Sequence, residues 1–228
     1  LLDGDGQSVD TFPWPDALAQ YRRAKEGLEA PALRLGIEMG SIPHAPDAAR
    51  HILAQAGEEL DFVLGSLHNW IGVHGNRDLY FTDFTGDPAL CRQAVENCLD
   101  STCALVTDCP DCYDSLAHIV YPLRYVHRDG QDLTLAPYEE QVRAIFTEVA
   151  RTDHALEVNT YRGTDMEPWP TLLAWFQECG GRYVTLGSDA HRPEDVGKGI
   201  AQAQELLRTV GFRYFTVYHR RTPQFIRL

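Results

Sequence analysis

The sequence predicts an α/β fold built on a parallel sheet, and three observations predict it. Short apolar runs rich in β-branched residues alternate with longer helical segments along the chain, as in consecutive β-α-β units. No linker or low-complexity stretch divides the 228 residues, so we expect one domain over residues 1–228. Several apolar runs end on an acid or a histidine, and parallel α/β folds of the barrel type place their chemistry at the carboxyl ends of strands.

Each element has its own signal in the sequence. Helical spacing predicts helices over 15–27, 47–56, 87–102, 137–151, 169–179 and 193–210. Proline near the first turn supports the starts of three of them, and Gly180-Gly181 ends the fifth. Apolar runs predict strands over 33–37, 61–67, 116–120, 155–158, 182–186 and 214–217. These βα steps fall short of a closed barrel, and we expect residues ahead of Leu1 to supply the rest.

Composition and charge exclude some partners. The net charge is −13, whereas nucleic-acid-binding proteins carry a basic surface that neutralises phosphates. No apolar run is long enough to cross a bilayer, and nothing at the start resembles a signal peptide, so we expect a cytoplasmic protein without a membrane partner. The acidic balance suits divalent cations, and a local basic pocket for a small phosphate ester is compatible with it. Nothing in the sequence indicates the oligomeric state.

The cysteines do not by their spacing define a zinc site. Cys109 and Cys112 form a C-x-x-C pair, but the second pair that a zinc ribbon requires is absent. A structural zinc joined by Cys98 and Cys103 is the alternative. Without a secretory signal, reduced thiols in a loop are the expectation.

Possible metal ligands lie at or near the ends of four of the first five predicted strands. They are Glu38, His68, His118, Asp189 and His191. Each alone is typical of a hydrogen-bonded rim residue, and Asp189 alone of a helix cap. Asp189 and His191 are two positions apart, so on an extended segment their side chains point to the same side. Together, two carboxylates and three imidazoles would be costly to bury without a cation, and this donor mixture suits divalent metals.

The segments that carry these residues resemble a known family. In order they are LGIEMGSIPH, DFVLGSLHN, LAHIVYPLRY, LEVNTYRG, TLGSDAH and GFRYFTVYHRRTPQFIRL. As a set they resemble the polymerase-and-histidinol-phosphatase (PHP) metallohydrolases over nearly the whole chain, and within that family the histidinol-phosphatases. The resemblance implies a distorted (β/α)7, TIM-like barrel with two to three divalent metal ions, zinc, manganese or iron, at its rim.

The resemblance also assigns roles to the ligands. It implies that Glu38 bridges two metals and that His68 and His118 bind the second of them. It gives Asp189 to the first metal and His191 to the third. The family's first strand carries His-x-His and is followed by Thr-Asp-His, and neither motif precedes Glu38 here. We therefore expect the chain to begin downstream of that strand, with an incomplete set of the family's ligands.

Four further residues are candidates for the substrate. The resemblance implies that Arg124 and Arg162 bind the phosphate, and a guanidinium fork suits a phosphate monoester and its transition state. A surface salt bridge is the alternative for Arg124. His44, in a family-like loop, and Asn159, at a strand end, are expected to contact the substrate. Asp189 is counted with the two arginines among the catalytic residues.

The resulting hypothesis is the hydrolysis of L-histidinol phosphate to L-histidinol and phosphate, a step of histidine biosynthesis. A metal-activated water would attack phosphorus, as metals lower the pKa of bound water. The leaving alkoxide would take its proton from a water or from Asp189. Two alternatives stay open: another small phosphate ester, such as a nucleotide or sugar phosphate, or a metal-poor remnant that serves as a binding module.

Overall fold

The structure is a computed structural model that describes residues 1–228. The helices are α1 Trp14–Lys25, α2 Pro46–Ala56, α3 Pro88–Asp108, α4 Tyr121–Arg128, α5 Glu139–Arg151, α6 Trp169–Glu178 and α7 Ile200–Val210. The strands are β1 Gly36–Gly40, β2 Phe62–Ser66, β3 Ser115–Leu116, β4 Ala155–Asn159, β5 Tyr183–Gly187, β6 Tyr214–His219 and β7 Thr222–Arg227. No helix combines the length and apolar content that crossing a bilayer requires.

Strands β1 to β5 form one parallel sheet in the order β1-β2-β3-β4-β5. Sequential parallel neighbours joined by crossover helices are the arrangement that the alternating pattern predicts. All five carboxyl ends therefore lie along one edge of the sheet. The predicted α/β class is confirmed, but the parallel sheet has five strands and not six.

The last predicted strand is where the topology differs from the expectation. β6 pairs antiparallel with β7 in a separate two-stranded sheet, and it is not hydrogen-bonded to β5. The turn between them holds Arg220 and Arg221, both with positive φ. Positive φ at both central residues of a two-residue hairpin turn matches the twist of the strands, although glycine or asparagine usually fills these positions. The segment after residue 217 is thus a hairpin and not a further βα unit.

The predicted strand 116–120 is also wrong beyond its first residue. β3 ends at Leu116, and the backbone N–H of Tyr121 then donates to His118 O at 2.9 Å to start α4. Pro122 lies in the first turn of this helix, where a missing N–H has no cost. The predicted helix 193–210 is likewise shorter, because Gly197 and Gly199 have φ of 79° and 77° and α7 begins after them.

Helices pack on the sheet through regular apolar faces. In α5 the buried residues are Val142, Ile145, Phe146 and Val149, the spacing of one helix face. Strand β4 is buried along its whole length, as a strand covered by helices should be. The indole N–H of Trp169, at the start of α6, donates to Asn159 O at 3.0 Å. This contact fixes the carboxyl end of β4, where the candidate site begins.

Candidate metal centre

One carboxylate and two imidazoles converge at the carboxyl edge of the sheet. Glu38 projects from β1, while His68 and His118 each lie two residues beyond the last residue of β2 and β3. Glu38 Oε1 lies 3.1 Å from His68 Nε2 and 3.2 Å from His118 Nε2. The two Nε2 atoms are 3.2 Å apart. These residues form a group that could hold a metal ion, and we call them the ligand cluster.

The ligand cluster comes from three strands that are neighbours in the sheet. β1 pairs with β2 and β2 with β3, so their carboxyl ends place the side chains side by side. The ring of Tyr121 lies over both imidazoles, with centroids 4.4 Å from His68 and 5.1 Å from His118. The backbone N–H of Leu79 donates to His68 O at 2.8 Å. These contacts fix the two histidine positions.

The three residues of the ligand cluster differ in their ionisation. Burial disfavours the ionised form of Glu38, but hydrogen bonds from His118 and His68 outweigh it and hold the pKa of this carboxyl well below its usual range. Burial lowers the pKa of the His118 imidazole, whereas at His68 burial is outweighed by the hydrogen bond to Glu38 and the charge of that carboxylate, which raise the pKa. An ionised carboxylate and a neutral imidazole are the forms that ligate metals.

The ligand cluster forms the floor of a cleft of about 440 Å³, which Arg124, Arg162, Asp189 and His191 also line. Arg124, from α4, is 4% exposed and donates through Nε to Asp165, through Nη1 to Asp189 and through Nη2 to Asn159. It is therefore not the surface salt bridge of the alternative reading. Its guanidinium lines the cleft and is held in place by these three acceptors.

Arg162 has a different environment from Arg124. Its guanidinium lies over the ring of Tyr161, with 4.1 Å from Cζ to the centroid, and it makes no side-chain hydrogen bond or ion pair. Arg162, Tyr161 and Asp189 all have positive φ, between 43° and 61°. Such backbone costs about 1–3 kcal/mol per residue and is concentrated at functional sites. The loop after β4 is held by the N–H of Arg162, which donates to Ser188 O at 2.9 Å.

Asp189 and His191 lie in the cleft but outside the ligand cluster. Asp189 Oδ2 is paired with Arg124 at 3.1 Å. The His191 side chain is 75% exposed, and its Nδ1 lies 3.5 Å from Asp189 Oδ1. Their roles as ligands stay a prediction.

Two candidates for substrate contact lie elsewhere. His44 is exposed, in a short 3-10 turn after β1, and it does not line the cleft. Asn159 is 2% exposed and lies behind Arg124, so it supports that guanidinium and does not face the cleft. The reason is that the chain turns away from the site directly after β1, whereas β4 ends inside the fold.

Glu157 and Tyr121 are residues that sequence reasoning missed. Glu157 is 5% exposed and accepts hydrogen bonds from the backbone N–H of His118 and the amide of Asn159. Burial, and then the nearby charge of Glu38, raise the pKa of this carboxyl to about 7. An acid within a fully buried central strand is the signal that marks it in the sequence.

The chain matches a known protein family. The model of the PHP domain family matches residues 9–161, which is more than half of the chain. The chain belongs to the PHP family. The PHP match covers all three residues of the ligand cluster together with Arg124 and Glu157.

Individual PHP relatives are similar over most of the chain. A probable histidinol-phosphatase of Clostridium acetobutylicum is 28% identical over 183 residues, which cover 78% of this chain and 68% of that protein. The histidinol-phosphatase of Lactococcus lactis is 26% identical over 191 residues, covering 82% and 68%.

A solved PHP-type structure shows the fold. The crystal structure of histidinol phosphate phosphatase from Lactococcus lactis, complexed with zinc, L-histidinol and phosphate, has a TM-score of 0.73 and 24% identity, covering 92% of this chain and 79% of that one. The predicted TIM-like α/β fold is confirmed by this likeness.

The donors of the ligand cluster fit the metal that the PHP family implies. A tetrahedral ion with ligand bonds of about 2.0 Å has ligand atoms about 3.3 Å apart. The three donor separations here are 3.1 to 3.2 Å, so one ion fits between them with a vertex left open.

The chain contains one Thr-Asp-His tripeptide, Thr152-Asp153-His154. It precedes β4 at the amino end of the sheet, where His154 stacks on Tyr113 with ring centroids 4.3 Å apart. That tripeptide is not part of the site.

Proposed function

We propose that this chain is a metal-dependent phosphomonoesterase that hydrolyses L-histidinol phosphate to L-histidinol and phosphate in histidine biosynthesis. The observation that carries the proposal is the ligand cluster with Arg124 and Arg162 in one cleft. The names of the PHP relatives and the ligands of the Lactococcus lactis structure support the choice of substrate. We place this function in the cytoplasm. We also treat residues 1–228 as one domain, because the main hydrophobic core cluster includes residues from Leu1 to Phe212.

Glu38, His68 and His118 would hold a divalent ion, zinc, manganese or iron. When bound, the ion supplies Lewis acidity toward water and toward a phosphoryl oxygen. Asp189 and His191 line the same cleft, and we keep the roles that the resemblance implies, Asp189 for the first ion and His191 for the third. His118 is 4% exposed, whereas the side chains of Glu38 and His68 are 39% and 25% exposed, so the ion would be reached from the cleft through these two residues.

The two arginines divide the recognition of phosphate. Arg162 has no protein acceptor, so its guanidinium is free to pair with phosphoryl oxygens. A guanidinium has five N–H donors, and three of those of Arg124 are used by Asp165, Asp189 and Asn159. The remaining donors of Arg124 are held rigidly, which favours stabilisation of charge that develops in the transition state.

The leaving alkoxide needs a proton. Asp189 accepts a hydrogen bond from Arg124, so its carboxylate is placed as an acceptor or ligand. We therefore assign the proton to a water molecule and give Asp189 the role of holding Arg124 and a metal ion. Of the two proton sources that the sequence leaves open, water and Asp189, we thus choose water.

The direct test is the release of phosphate from L-histidinol phosphate by the purified chain loaded with Zn²⁺ or Mn²⁺. We expect turnover that His118→Ala reduces by about 100-fold or more, since even partners outside the first ligand shell contribute 10–100-fold. His51→Ala is the matched control, because His51 is exposed on α2 and its side chain is hydrogen-bonded only to Gln55. Turnover of nucleotide or sugar phosphates in place of L-histidinol phosphate would replace the substrate and keep the reaction class. A chain that binds no metal would instead be the binding module.

A further inference from the structure

The cleft has two chemically different walls. The order of the strands puts the loop after β2 on one side of His118 and the loops after β4 and β5 on the other. Arg162 belongs to the loop after β4, and it supplies the positive charge of that wall. The wall formed by the loop after β2 carries Asp78, Tyr80 and Phe81, which also line the cleft. A substrate that fits both walls has an anionic end and an end that is cationic or aromatic.

Asp78 is held firmly with one oxygen unused. Its backbone N–H donates to Gly4 O at 3.0 Å. Its Oδ1 accepts from the Tyr80 N–H and from the Tyr121 hydroxyl, both at 2.8 Å. Its Oδ2 accepts no hydrogen bond from the protein. Tyr121 stacks over the two histidines of the ligand cluster, so Asp78 is positioned relative to the reacting centre by a single intervening side chain.

Tyr80 and Phe81 form an exposed aromatic pair beside this carboxylate. They are 54% and 51% exposed, and their rings meet edge to face with centroids 5.0 Å apart. Two adjacent large aromatic groups on the surface of a cleft are typical of binding sites. Aromatic faces attract planar rings and cations, and one face of each ring already has an arginine near it, Arg128 at Tyr80 and Arg77 at Phe81. A carboxylate oxygen beside such faces is suited to an organic ammonium group.

We propose that Asp78 Oδ2 accepts a hydrogen bond from the ammonium group of the leaving alcohol, while Tyr80 and Phe81 pack against its apolar or aromatic part. The site thereby selects phosphate esters of cationic amino alcohols over neutral esters. This inference rests on the proposed phosphomonoesterase function and adds the residues that choose the leaving group. Asp78 is a specificity residue, since it takes no part in the attack on phosphorus.

Asp78→Asn tests the inference with little disturbance, because an asparagine oxygen still accepts from Tyr80 and Tyr121. On the zinc-loaded chain we expect the ratio of kcat/KM for L-histidinol phosphate to that for p-nitrophenyl phosphate to fall by about 10- to 100-fold, as for loss of a charged hydrogen bond. The Kd of L-histidinol, measured by calorimetry, should rise by a similar factor. Asp83→Asn, an exposed acid of the same loop that accepts from Thr85, is the control and should leave the ratio unchanged. An unchanged ratio in Asp78→Asn would overturn the inference.

A second measurement separates this inference from the proposed function. Phosphoethanolamine and ethyl phosphate differ in the leaving group by its ammonium, which also makes the alcohol a better leaving group, so their ratio is compared between two chains. We expect Asp78→Asn to lower the ratio of kcat/KM for phosphoethanolamine to that for ethyl phosphate by about 10-fold or more relative to wild type. An equal ratio in the two chains would overturn the assignment of Asp78 even if L-histidinol phosphate is hydrolysed. A lowered ratio in Asp78→Asn, without turnover of L-histidinol phosphate by wild type, would support Asp78 and reject the substrate proposed above.

Discussion

Glu157 joins the ligand cluster to Arg124 through a short series of hydrogen bonds. Its Oε2 accepts from the His118 N–H at 3.2 Å and from Asn159 Nδ2 at 3.3 Å. Asn159 Oδ1 accepts in turn from Arg124 at 2.8 Å. A buried carboxylate is retained only when its oxygens have partners. His118 of the ligand cluster and Arg124 therefore share one buried support.

Substitution by lysine should affect stability at Arg124 and substrate binding at Arg162. Arg124→Lys removes a buried fork that reaches three acceptors, and one ammonium cannot span Asp165, Asp189 and Asn159. We expect a loss of about 2–4 kcal/mol in the free energy of unfolding, because buried acceptors lose their partner. Arg162→Lys should change it by less than about 0.5 kcal/mol and raise KM for the phosphate ester. Urea unfolding and steady-state kinetics measure both, and equal losses of stability would contradict this division of roles.

At the scale of elements, β4 and β5 approach so closely that a side chain at the last residue of β5 would meet the side chain of Glu157. A Cβ on Gly187, the last residue of β5, would lie 2.1 Å from Glu157 Oε1. Gly187→Ala should therefore displace Glu157 and cost about 1–3 kcal/mol of unfolding free energy by overpacking. Gly40→Ala is the matched control at the end of β1, where a Cβ meets nothing nearer than 3.9 Å. Thermal unfolding of the two variants should rank Gly187→Ala well below Gly40→Ala, and the reverse order would refute the contact.

The amino ends of the strands are tied to the β6–β7 hairpin by Asp61. Its carboxylate accepts from the backbone N–H of Leu35 and Arg220 and lies 2.8 Å from His219 Nδ1. Burial opposes ionisation, but these hydrogen bonds outweigh it, so the pKa of Asp61 is lowered. A lowered folded-state pKa gives stability that is present above the unfolded pKa of about 4 and is lost as pH falls through the folded-state pKa.

Asp61→Asn should thus destabilise the chain by about 1–3 kcal/mol near pH 7, because an amide cannot accept at both positions. The difference in unfolding free energy between wild type and variant should shrink as pH falls below about 4. Urea titrations from pH 7 to pH 3.5 measure it. A difference that grows on acidification would show that Asp61 is not stabilised by its ionised form.

The sequence predicts elements well where periodicity is undisturbed and poorly where packing decides. The apolar face of α5 and the strand β4 are read directly from spacing. α4 was missed because His118-Ile119-Val120 continues an apolar run, and only the tertiary position of the chain ends β3 at Leu116. β7 was missed because Pro223 disfavours a central strand, although an edge strand accommodates it. The convergence of Glu38, His68 and His118 was predicted from strand ends, whereas the pairing of Asp189 with Arg124 has no signature in sequence.

For the whole molecule, the proposed function requires a protein of net charge −13 to bind a phosphate dianion against its own field. Arg124 and Arg162 both lie near the ring of Tyr161, 4.3 Å and 4.1 Å from its centroid, so two positive charges are grouped in the cleft. An ion held by the ligand cluster would add positive charge beside them. Under the proposed function, metal binding favours phosphate binding, and it would also link three adjacent strands of the sheet.

This linkage predicts that metal stabilises the whole fold. An ion that binds the folded chain at 100 times its Kd adds about 2.7 kcal/mol. For a chain of this size, that free energy corresponds to a rise in Tm of about 5–10 °C. Titration of the metal-free chain with Zn²⁺, followed by calorimetric melting, measures the shift.

Variants show whether the shift comes from the ligand cluster. His118→Ala should lose most of the rise in Tm, because His118 supplies one of only three converging donors. His51→Ala on α2 should keep it in full. His191→Ala should keep most of it, since His191 is exposed and lies outside the ligand cluster. A His118→Ala variant that is stabilised as much as wild type would place the tightly bound ion elsewhere, and the convergence of β1, β2 and β3 would then need another explanation.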